Sequence, residues 1–418
     1  MPVVVKYDVA LEYDPTEWPA GLDSAAFQGD WGVFFTGRAL FLMNGRIRSP
    51  FVSANLAWME GTLVPSEDSR QNIEVTFQLP EGWQASTPWT ETTANSFVAD
   101  DLIALSESML VLGTHDAVQT NEGGTALTLA LGGESVTSES KTLQQAFSEV
   151  HTYYTSVLGG PPKTTREDPL ERAIVVVTSG VVSDGEVIGN NLSVTFAEGQ
   201  PLFEVSRLET PNDQLILPVQ IIFHEFFHLW NGTTFASQPD AEWFKEGVTD
   251  YYALRAARQL GYLDRAGLLT LLGDQYRRYV EAQAVSDLSL TEAGKDEFGN
   301  HELLYPGGLL VGLCLDLILR SETGNNQGLD NLMKRVYSDF GASGKALSTA
   351  AVQALGEEIS GSDLADFFET YVEASNTVPL AECMALAGFK TTFEKSDPRV
   401  SEEENSSKVA EAIRASVF

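Results

Sequence analysis

The chain has 418 residues, of which 43% are hydrophobic and 10% aromatic, a composition typical of folded globular domains. This length is sufficient for two or three domains, each with its own hydrophobic core. The formal net charge of −33 favours solubility and argues against a nucleic-acid partner, which needs clustered Lys and Arg, and against docking on anionic lipid.

The first third of the chain has the pattern of β-structure. Alternate positions from Val3 to Leu11 are apolar, and short apolar runs separated by turn residues follow at 51–56, 73–77, 109–112 and 127–131. Short strands with this spacing are typical of an antiparallel sandwich. We therefore predict an N-terminal antiparallel β-sandwich over residues 1–138.

The period of the pattern changes after Thr142, where apolar residues recur at helical spacing until Gly159. Two β-rich runs, 173–178 and 191–196, then predict strands of a mixed sheet, and from about residue 239 the pattern is almost entirely helical. We predict a second domain over 139–285, a C-terminal helical region over 286–395 and a polar, acidic tail over 396–418. This tail is a candidate for a mobile segment.

Cys314 and Cys383 lie in apolar patterns with helical spacing, so we expect two free core thiols. The longest apolar run, 303–319, contains Pro306 and Asp316 and predicts a buried helix, not a membrane span. No signal peptide is evident, because the N-terminus lacks a basic segment followed by a sustained apolar core. A cytoplasmic location is favoured, and a mature periplasmic or secreted form stays open.

The most specific pattern in the chain is His224-Glu225-x-x-His228, inside an apolar run at 214–230 that predicts one buried helix. Residues four apart share a face of a helix, so both imidazoles can bind one metal ion. Glu225 lies beside them, where its carboxylate could take a proton from metal-bound water. A helix with two surface histidines is the alternative, but the chain has only five histidines and two lie here.

A second segment, 243–252, supplies the other side chains that the predicted metal site needs. Glu246 can be the third ligand of a catalytic zinc, which leaves the fourth position for water. Asp250 lies four residues further and can accept a hydrogen bond from His224, as carboxylates beside metal-bound imidazoles commonly do. A solvated surface aspartate is the alternative. We therefore predict one Zn²⁺ ion per chain, bound by His224, His228 and Glu246.

These motifs resemble the glycyl aminopeptidase family of metallopeptidases (peptidase family sixty-one), which are gluzincins related to the aminopeptidase N group. The resemblance rests on four segments in the same order, 224–231, 243–252, 305–313 and 367–380. It implies an α+β multidomain fold with a thermolysin-like zinc peptidase domain, and a peptide or protein substrate. One departure is the spacing: seventeen residues separate His228 from Glu246, one fewer than in the aminopeptidase N group.

The resemblance also implies roles for residues outside the metal motifs. Tyr305 matches a tyrosine that donates a hydrogen bond to the oxyanion of the tetrahedral intermediate. A helix-packing tyrosine is one alternative, and His301 as the donor is another. In aminopeptidases of this kind a glutamate on an edge strand binds the free α-amine of the substrate. Glu186 is the candidate for that role, although its surroundings match the motif poorly.

We therefore predict a zinc-dependent peptidase, with an aminopeptidase preferred. One alternative is a zinc endopeptidase without selectivity for the α-amine. The other is a catalytically silent peptide-binding module that keeps zinc for structure. The presence of Glu225 argues against the silent module, because a structural zinc site does not need that carboxylate. The oligomeric state stays open.

Overall fold

A computed structural model describes residues 6–11, 26–41, 46–47, 62–63, 72–164, 168–180, 183–197, 199, 218–341 and 343–418. The predicted strand at 51–56 and the predicted helix start at 214–217 lie outside these residues. The chain divides into two compact units: the first is Met1–Pro50, Trp58–Ser148 and Leu170–Leu202, and the second is Phe51–Ala57, Glu149–Pro169 and Phe203–Phe418. The four segments predicted from the sequence stay a prediction.

Short strands make up most of the first unit. They are β1 (Ala26–Gly29), β2 (Gly32–Thr36), β3 (Arg46–Ile47), β4 (Thr62–Leu63), β5 (Ile73–Thr76), β6 (Gln84–Ser86), β7 (Thr90–Thr93), β8 (Ser96–Ala99), β9 (Met109–Gly113), β10 (Asp116–Thr120), β11 (Ala126–Leu131), β12 (Arg172–Gly180), β13 (Asp184–Ile188) and β14 (Asn191–Ala197). Between them lie three short helices, α1 (Gly37–Leu40), α2 (Leu102–Ser106) and α3 (Glu134–Thr137).

Three sheets organise these strands. A four-stranded antiparallel sheet has the order β1-β2-β9-β6, a three-stranded antiparallel sheet the order β5-β8-β7, and a five-stranded mixed sheet the order β10-β11-β12-β14-β13. The pair β3 and β4 is parallel. Antiparallel sheets in the N-terminal part are thus confirmed, and so is the mixed sheet predicted from 173–178 and 191–196.

The four-stranded sheet is covered on both faces, which explains why β9 is apolar and buried throughout. Successive side chains of a strand point to opposite faces. Those on one face pack with residues of the mixed sheet in one core cluster: Trp31, Phe34, Met109, Val111, Ala130, Ile174, Val176 and Ile188. Those on the other face pack with residues of the three-stranded sheet and α2 in a second cluster: Phe35, Trp89, Phe97, Ala99, Leu105, Leu110 and Leu112.

Two strand predictions in this unit were wrong in part. The run at 127–131 forms β11, but β11 pairs in parallel with β12 in the mixed sheet and is not part of an antiparallel sandwich. The described part of the alternating N-terminal stretch, residues 6–11, contains no strand. Tyr7 and Leu11 are exposed there, and Val9 is partly buried against the cluster that contains Phe35 and Leu110.

Helix α4 (Ser140–Leu158) follows as predicted and ends before Gly159, whose φ of 89° suits a helix C-terminus. The further helices are α5 (Pro218–Phe227), α6 (Val248–Gln259), α7 (Arg265–Gln283), α8 (Leu290–Ala293), α9 (His301–Glu322), α10 (Leu329–Phe340), α11 (Thr349–Ser360), α12 (Ala365–Tyr371), α13 (Leu380–Leu386) and α14 (Lys408–Val417). A hairpin of β15 (Phe389–Glu394) and β16 (Asp397–Glu402) lies between the last two. The predicted helical character of the C-terminal part is confirmed.

Helix α9 is the main apolar helix of the second unit. Its length and composition would suffice to cross a membrane, but 83% of its apolar window is buried inside the chain, as in a core helix. Its one fully buried acid, Asp316, accepts hydrogen bonds from Tyr251 Oη at 2.6 Å, Arg320 Nε at 2.9 Å and Leu329 N at 2.7 Å. These partners offset the cost of burying a carboxylate.

The cysteines and the tail differ from the sequence-based expectations. Cys314 on α9 and Cys383 on α13 form a disulfide with a Cα–Cα distance of 5.2 Å, so the prediction of two free thiols was wrong. The predicted acidic tail is folded as β16 and α14, and Phe418 is buried. The Phe418 carbonyl accepts a hydrogen bond of 2.7 Å from Arg258 Nε, which fixes the last turn of α14.

Two glycines bring α9 into backbone contact with the segment before α6. A Cβ atom on Gly247 would overlap the backbone of Gly308, and one on Gly308 would overlap the carbonyl oxygen of Trp243. Only glycine fits at both positions. The N-terminal turns of α9, which carry Tyr305, therefore lie directly against the segment that carries Glu246.

Candidate metal centre and active site

The two histidines are held at the C-terminal end of α5. The helix is apolar on nearly all sides and buried, with Val219, Ile222 and Phe223 fully enclosed. His224 lies on its last turn, and His228 follows in the turn that ends it. Both histidines are almost completely buried in the second unit.

Glu246 lies in a π-helical turn, Trp243–Gly247, that leads into α6. Such turns occur often at functional sites, because they aim a side chain that a regular helix would direct elsewhere. Trp243 anchors the turn by donating from Nε1 to Thr349 Oγ1 at 2.9 Å. The side-chain amide of Asn231 donates to the carbonyl oxygens of Phe244 and Lys245, each at 3.0 Å, and so ties the turn to the end of the histidine motif.

Three atoms from these segments form a small triangle. The Nε2 atoms of His224 and His228 are 3.0 Å apart, and Glu246 Oε2 lies 3.5 Å from the first and 3.3 Å from the second. Ligand atoms about 2.0–2.1 Å from a tetrahedral zinc are separated from each other by about 3.3 Å. The donor set and its spacing therefore fit one zinc ion.

The other ring nitrogens show which atoms face this triangle. His224 Nδ1 lies 2.8 Å from Asp250 Oδ1, and His228 Nδ1 lies 2.7 Å from the carbonyl oxygen of Asn231. Because a carboxylate and a carbonyl only accept, each Nδ1 carries a hydrogen, and in the neutral ring each Nε2 presents a lone pair. Two lone pairs and the carboxylate of Glu246 at such short distances repel one another unless a positive charge lies among them.

The electrostatics of His224 agree with this geometry. Burial lowers the pKa of His224, but the carboxylates of Asp250 and Glu246 outweigh burial, and the pKa lies well above its ordinary value. A proton and a metal ion compete for the same lone pair. The environment of this imidazole therefore attracts positive charge strongly.

Lys245 lies among three carboxylates next to the triangle. Its Nζ is 2.6 Å from Glu246 Oε1, 3.1 Å from Glu242 Oε2 and 3.7 Å from Glu297 Oε2. Burial lowers the pKa of Lys245, yet Glu246 and Glu242 raise it well above its ordinary value, so Lys245 is a permanent cation. The lysine engages one oxygen of Glu246 and leaves the other for a metal ion.

These neighbours of Glu246 were missed in the sequence. Glu242 and Lys245 have a local signal, because charges of opposite sign three apart on a helix commonly pair. Glu297 has none, since it lies in a turn far along the chain before α9. Burial and the carboxylate of Glu246 raise the pKa of Glu297 to about 7.

Tyr305 lies on the second turn of α9 beside the metal ligands. Its ring stacks on that of His224 with a centroid distance of 5.9 Å and an interplanar angle of 12°, and its hydroxyl donates to Glu297 Oε1 at 3.1 Å. Burial raises the pKa of Tyr305 and the nearby acids raise it further, so the phenol keeps its proton. The structure therefore places a hydrogen-bond donor next to the triangle.

The other predicted site residues lie in different surroundings. His301 contacts Tyr305, with ring centroids 4.1 Å apart, and its half-exposed side chain lies near Glu302. Glu225 follows His224 on α5 and is partly buried. Glu186 lies on β13, an edge strand of the mixed sheet, opposite Ser193. Because Glu186 belongs to the first unit and the metal ligands to the second, its binding of an α-amine stays a prediction.

Comparison with protein families gives a match in the second unit. Residues 218–305 match the family model described as M61 glycyl aminopeptidase. The resemblance inferred from the sequence motifs is thereby confirmed. The matched segment contains the metal-site residues from His224 to Asp250 and ends at Tyr305, and it supports a peptidase. Among curated proteins, no match is found.

Similarity to solved structures supports the fold. An aminopeptidase N family protein from Idiomarina loihiensis has a TM-score of 0.68 and 19% identity, covering 88% of this chain and 63% of that one. An M1 zinc metallopeptidase from Deinococcus radiodurans, bound to a Tyr-Ser-Ala substrate, has a TM-score of 0.46 and 16% identity, covering 72% of this chain and 63% of that one. The chain thus spans 63% of the length of each protein. At 19% identity the first similarity indicates a shared fold, and the second is too weak to add to it.

Proposed function

We propose that the chain is a zinc-dependent aminopeptidase with a thermolysin-like catalytic domain of the gluzincin type. The observation that carries this proposal is the triangle of acceptor atoms from His224, His228 and Glu246, whose spacing fits tetrahedral zinc. Two imidazoles and one carboxylate suit zinc better than magnesium or calcium, which prefer oxygen ligands. The similarity of residues 218–305 to a glycyl aminopeptidase family supports the aminopeptidase activity.

Zinc at this site would polarise the scissile carbonyl and lower the pKa of a water molecule. Glu225 takes the proton of the attacking water and passes it to the leaving amine. Tyr305 donates its hydroxyl hydrogen to the oxyanion, a contribution of about 3 kcal/mol for a donor of this kind. Lys245 stabilises the ionised form of Glu246, whose pKa burial raises but the ammonium lowers well below its usual range.

The catalytically silent module is the weaker alternative. A structural zinc site closes its fourth position with protein. Among the residues that the structure describes, the metal-binding group at the triangle has three members, His224, His228 and Glu246. This composition favours a catalytic site, which keeps a position open for water and substrate.

Metal analysis and a matched set of peptides test the proposal. We expect about one zinc per chain, loss of activity with a chelator, and recovery when zinc is restored. His228→Ala should lose both zinc and activity. Full zinc occupancy in that variant, or bound magnesium in the unaltered chain, would contradict the metal assignment.

The peptide set distinguishes three possible functions: aminopeptidase, endopeptidase and catalytically silent binding module. Cleavage of a short peptide should be much faster with a free N-terminus than with an acetylated one. Equal rates would identify an endopeptidase. A zinc-loaded chain that cleaves neither these peptides nor an internally quenched peptide would identify the silent module.

A further inference from the structure

Two of the three carboxylates around Lys245 are fully engaged. Glu242 accepts from Ser237 Oγ at 2.9 Å on one oxygen and from Lys245 on the other, and it is 1% exposed. Glu246 offers Oε1 to Lys245 and Oε2 to the metal triangle. Neither has an oxygen left for another charged group.

Glu297 differs from both in having an available oxygen. Its Oε1 accepts the hydrogen bond from Tyr305. Among the described residues, the nearest cation to its Oε2 is Lys245 at 3.7 Å, which is longer than a hydrogen bond. The side chain keeps 19% of its surface exposed, so a ligand can reach it.

The position of Glu297 suits the amine of a peptide. In a peptide the α-nitrogen lies about 3 Å from the oxygen of the first carbonyl group, because only the Cα atom separates the two groups. One carboxylate oxygen from each of Glu242, Glu246 and Glu297 lies within 4.8 Å of the other two. A peptide whose first carbonyl group is held at the metal triangle therefore has its ammonium within reach of Glu297.

The charge around the triangle also favours an additional cation. Five carboxylates lie in this region: Glu225, Glu242, Glu246, Asp250 and Glu297. A cationic ligand beside Glu297 would be attracted by these acidic groups.

We propose that Glu297 binds the α-ammonium of the substrate and thereby selects peptides with a free N-terminus. The inference rests on the proposed peptidase function and assigns its selectivity to a residue of the second unit. The hydrogen bond between Glu297 and Tyr305 links binding of the amine to stabilisation of the oxyanion. Tyr305 has one hydrogen to donate, and an ammonium that binds to Glu297 provides this carboxylate with another donor, so the hydroxyl can turn to the oxyanion.

Glu297→Gln is the main test, because glutamine keeps an acceptor for Tyr305 but loses the charge. We expect kcat/KM for a short peptide with a free N-terminus to fall by about 10- to 100-fold, the range for losing a charged hydrogen bond. The acetylated form of the same peptide should change little. The decisive quantity is the ratio of the two kcat/KM values. A ratio unchanged from the wild-type chain, even with both rates reduced, would overturn the inference.

Binding without turnover gives an independent readout. In a Glu225→Gln background, the added Glu297→Gln change should weaken equilibrium binding of the free peptide and leave binding of the acetylated peptide unaltered. Glu297→Asp keeps the charge and should retain part of the preference that glutamine loses. Equal loss in both variants would show that the charge is not what recognises the amine.

Glu302→Gln is the matched control. Glu302 lies on the first turn of α9, is 62% exposed, and pairs with Arg278. Its substitution should leave the peptide ratio and the zinc content unchanged. A wild-type chain that does not distinguish the two peptides would contradict the aminopeptidase proposal itself, an outcome separate from an unchanged ratio in Glu297→Gln.

Discussion

Asp250 Oδ1 lies 2.8 Å from Nδ1 of His224, and this hydrogen bond joins the two sequence motifs of the candidate metal centre. It fixes the tautomer in which Nε2 of His224 faces Glu246. Asp250→Ala should therefore weaken zinc affinity by about 10- to 100-fold, the usual effect of losing such a partner. Competitive titration against a chromophoric chelator measures the zinc affinity of the variant and of the wild-type chain. Asp339→Asn, which alters an exposed pair with Arg335, is the control, and an unchanged zinc affinity in Asp250→Ala would show that Asp250 does not support the metal.

Glu225→Gln should keep zinc and the fold while kcat falls by about 10²- to 10⁴-fold, because the amide keeps the shape of glutamate without its basicity. Metal analysis and steady-state kinetics on the same preparation check both halves of this expectation. A kcat equal to that of the wild-type chain would remove Glu225 from the mechanism.

Tyr305→Phe should lower kcat more than it changes KM, by up to about 10²-fold, because the hydrogen bond strengthens as negative charge develops on the oxyanion. Zinc content should not change. A rise in KM alone would instead mean that Tyr305 packs against the substrate. If neither constant changes, His301, which contacts the Tyr305 ring, becomes the donor to test by His301→Gln.

The stability of the first unit should depend on pH through His115. Burial lowers the pKa of His115 to about 4, and its Nε2 lies 2.7 Å from Ser86 Oγ. The unfolded chain, with a pKa of about 6.5, binds the proton more readily. The stabilising contribution is therefore complete above about pH 6.5 and is lost as the pH falls toward 4, by up to about 3 kcal/mol.

Urea unfolding of the wild-type chain and of His115→Gln, measured between pH 7 and 4.5, checks this expectation. The free energy of unfolding should fall less steeply with decreasing pH in the variant. Parallel curves for the two proteins would mean that His115 does not contribute to the pH dependence.

The disulfide between Cys314 and Cys383 predicts a chain without reactive thiols. Alkylation of the denatured, unreduced protein should label none, and alkylation after reduction should label two, as mass spectrometry would show. Replacement of both cysteines by alanine should lower the free energy of unfolding by about 2–5 kcal/mol. A reductant should then have no further effect on that variant. Two labelled thiols in the unreduced chain would contradict the pairing.

The clustering of His224, His228 and Glu246 could be expected from the sequence, because it depends on local spacing within two motifs. His224 and His228 are four residues apart on one helix, and Asp250 follows Glu246 by the same interval. Asn231 and Lys245 lie within the same two motifs, but their roles depend on how the two segments meet. No local pattern indicates Glu297, because it reaches the site only through the packing of α9.

The fold, too, could be predicted only where it depends on local sequence patterns. The strand pattern predicts β11 and β12 correctly, but the parallel pairing between Leu129 and Val175 depends on a crossover that alternation does not encode. The same holds for Cys314 and Cys383. Each lies in an apolar helix and has the pattern of an ordinary core residue, and only the approach of α9 to α13 makes them partners.

The contact between Gly247 and Gly308 limits how the proposed active site could be engineered. At this contact the backbone of α9 lies directly against the backbone of the segment before α6, and this sets the spacing between Glu246 and Tyr305. No side chain is present there that could be shortened to widen the pocket. A side chain at either position would push α9 away from the π-helical turn and separate Tyr305 from Glu246. Directed evolution toward new substrates should therefore accept changes at Phe298, which is 91% exposed, and reject them at these glycines.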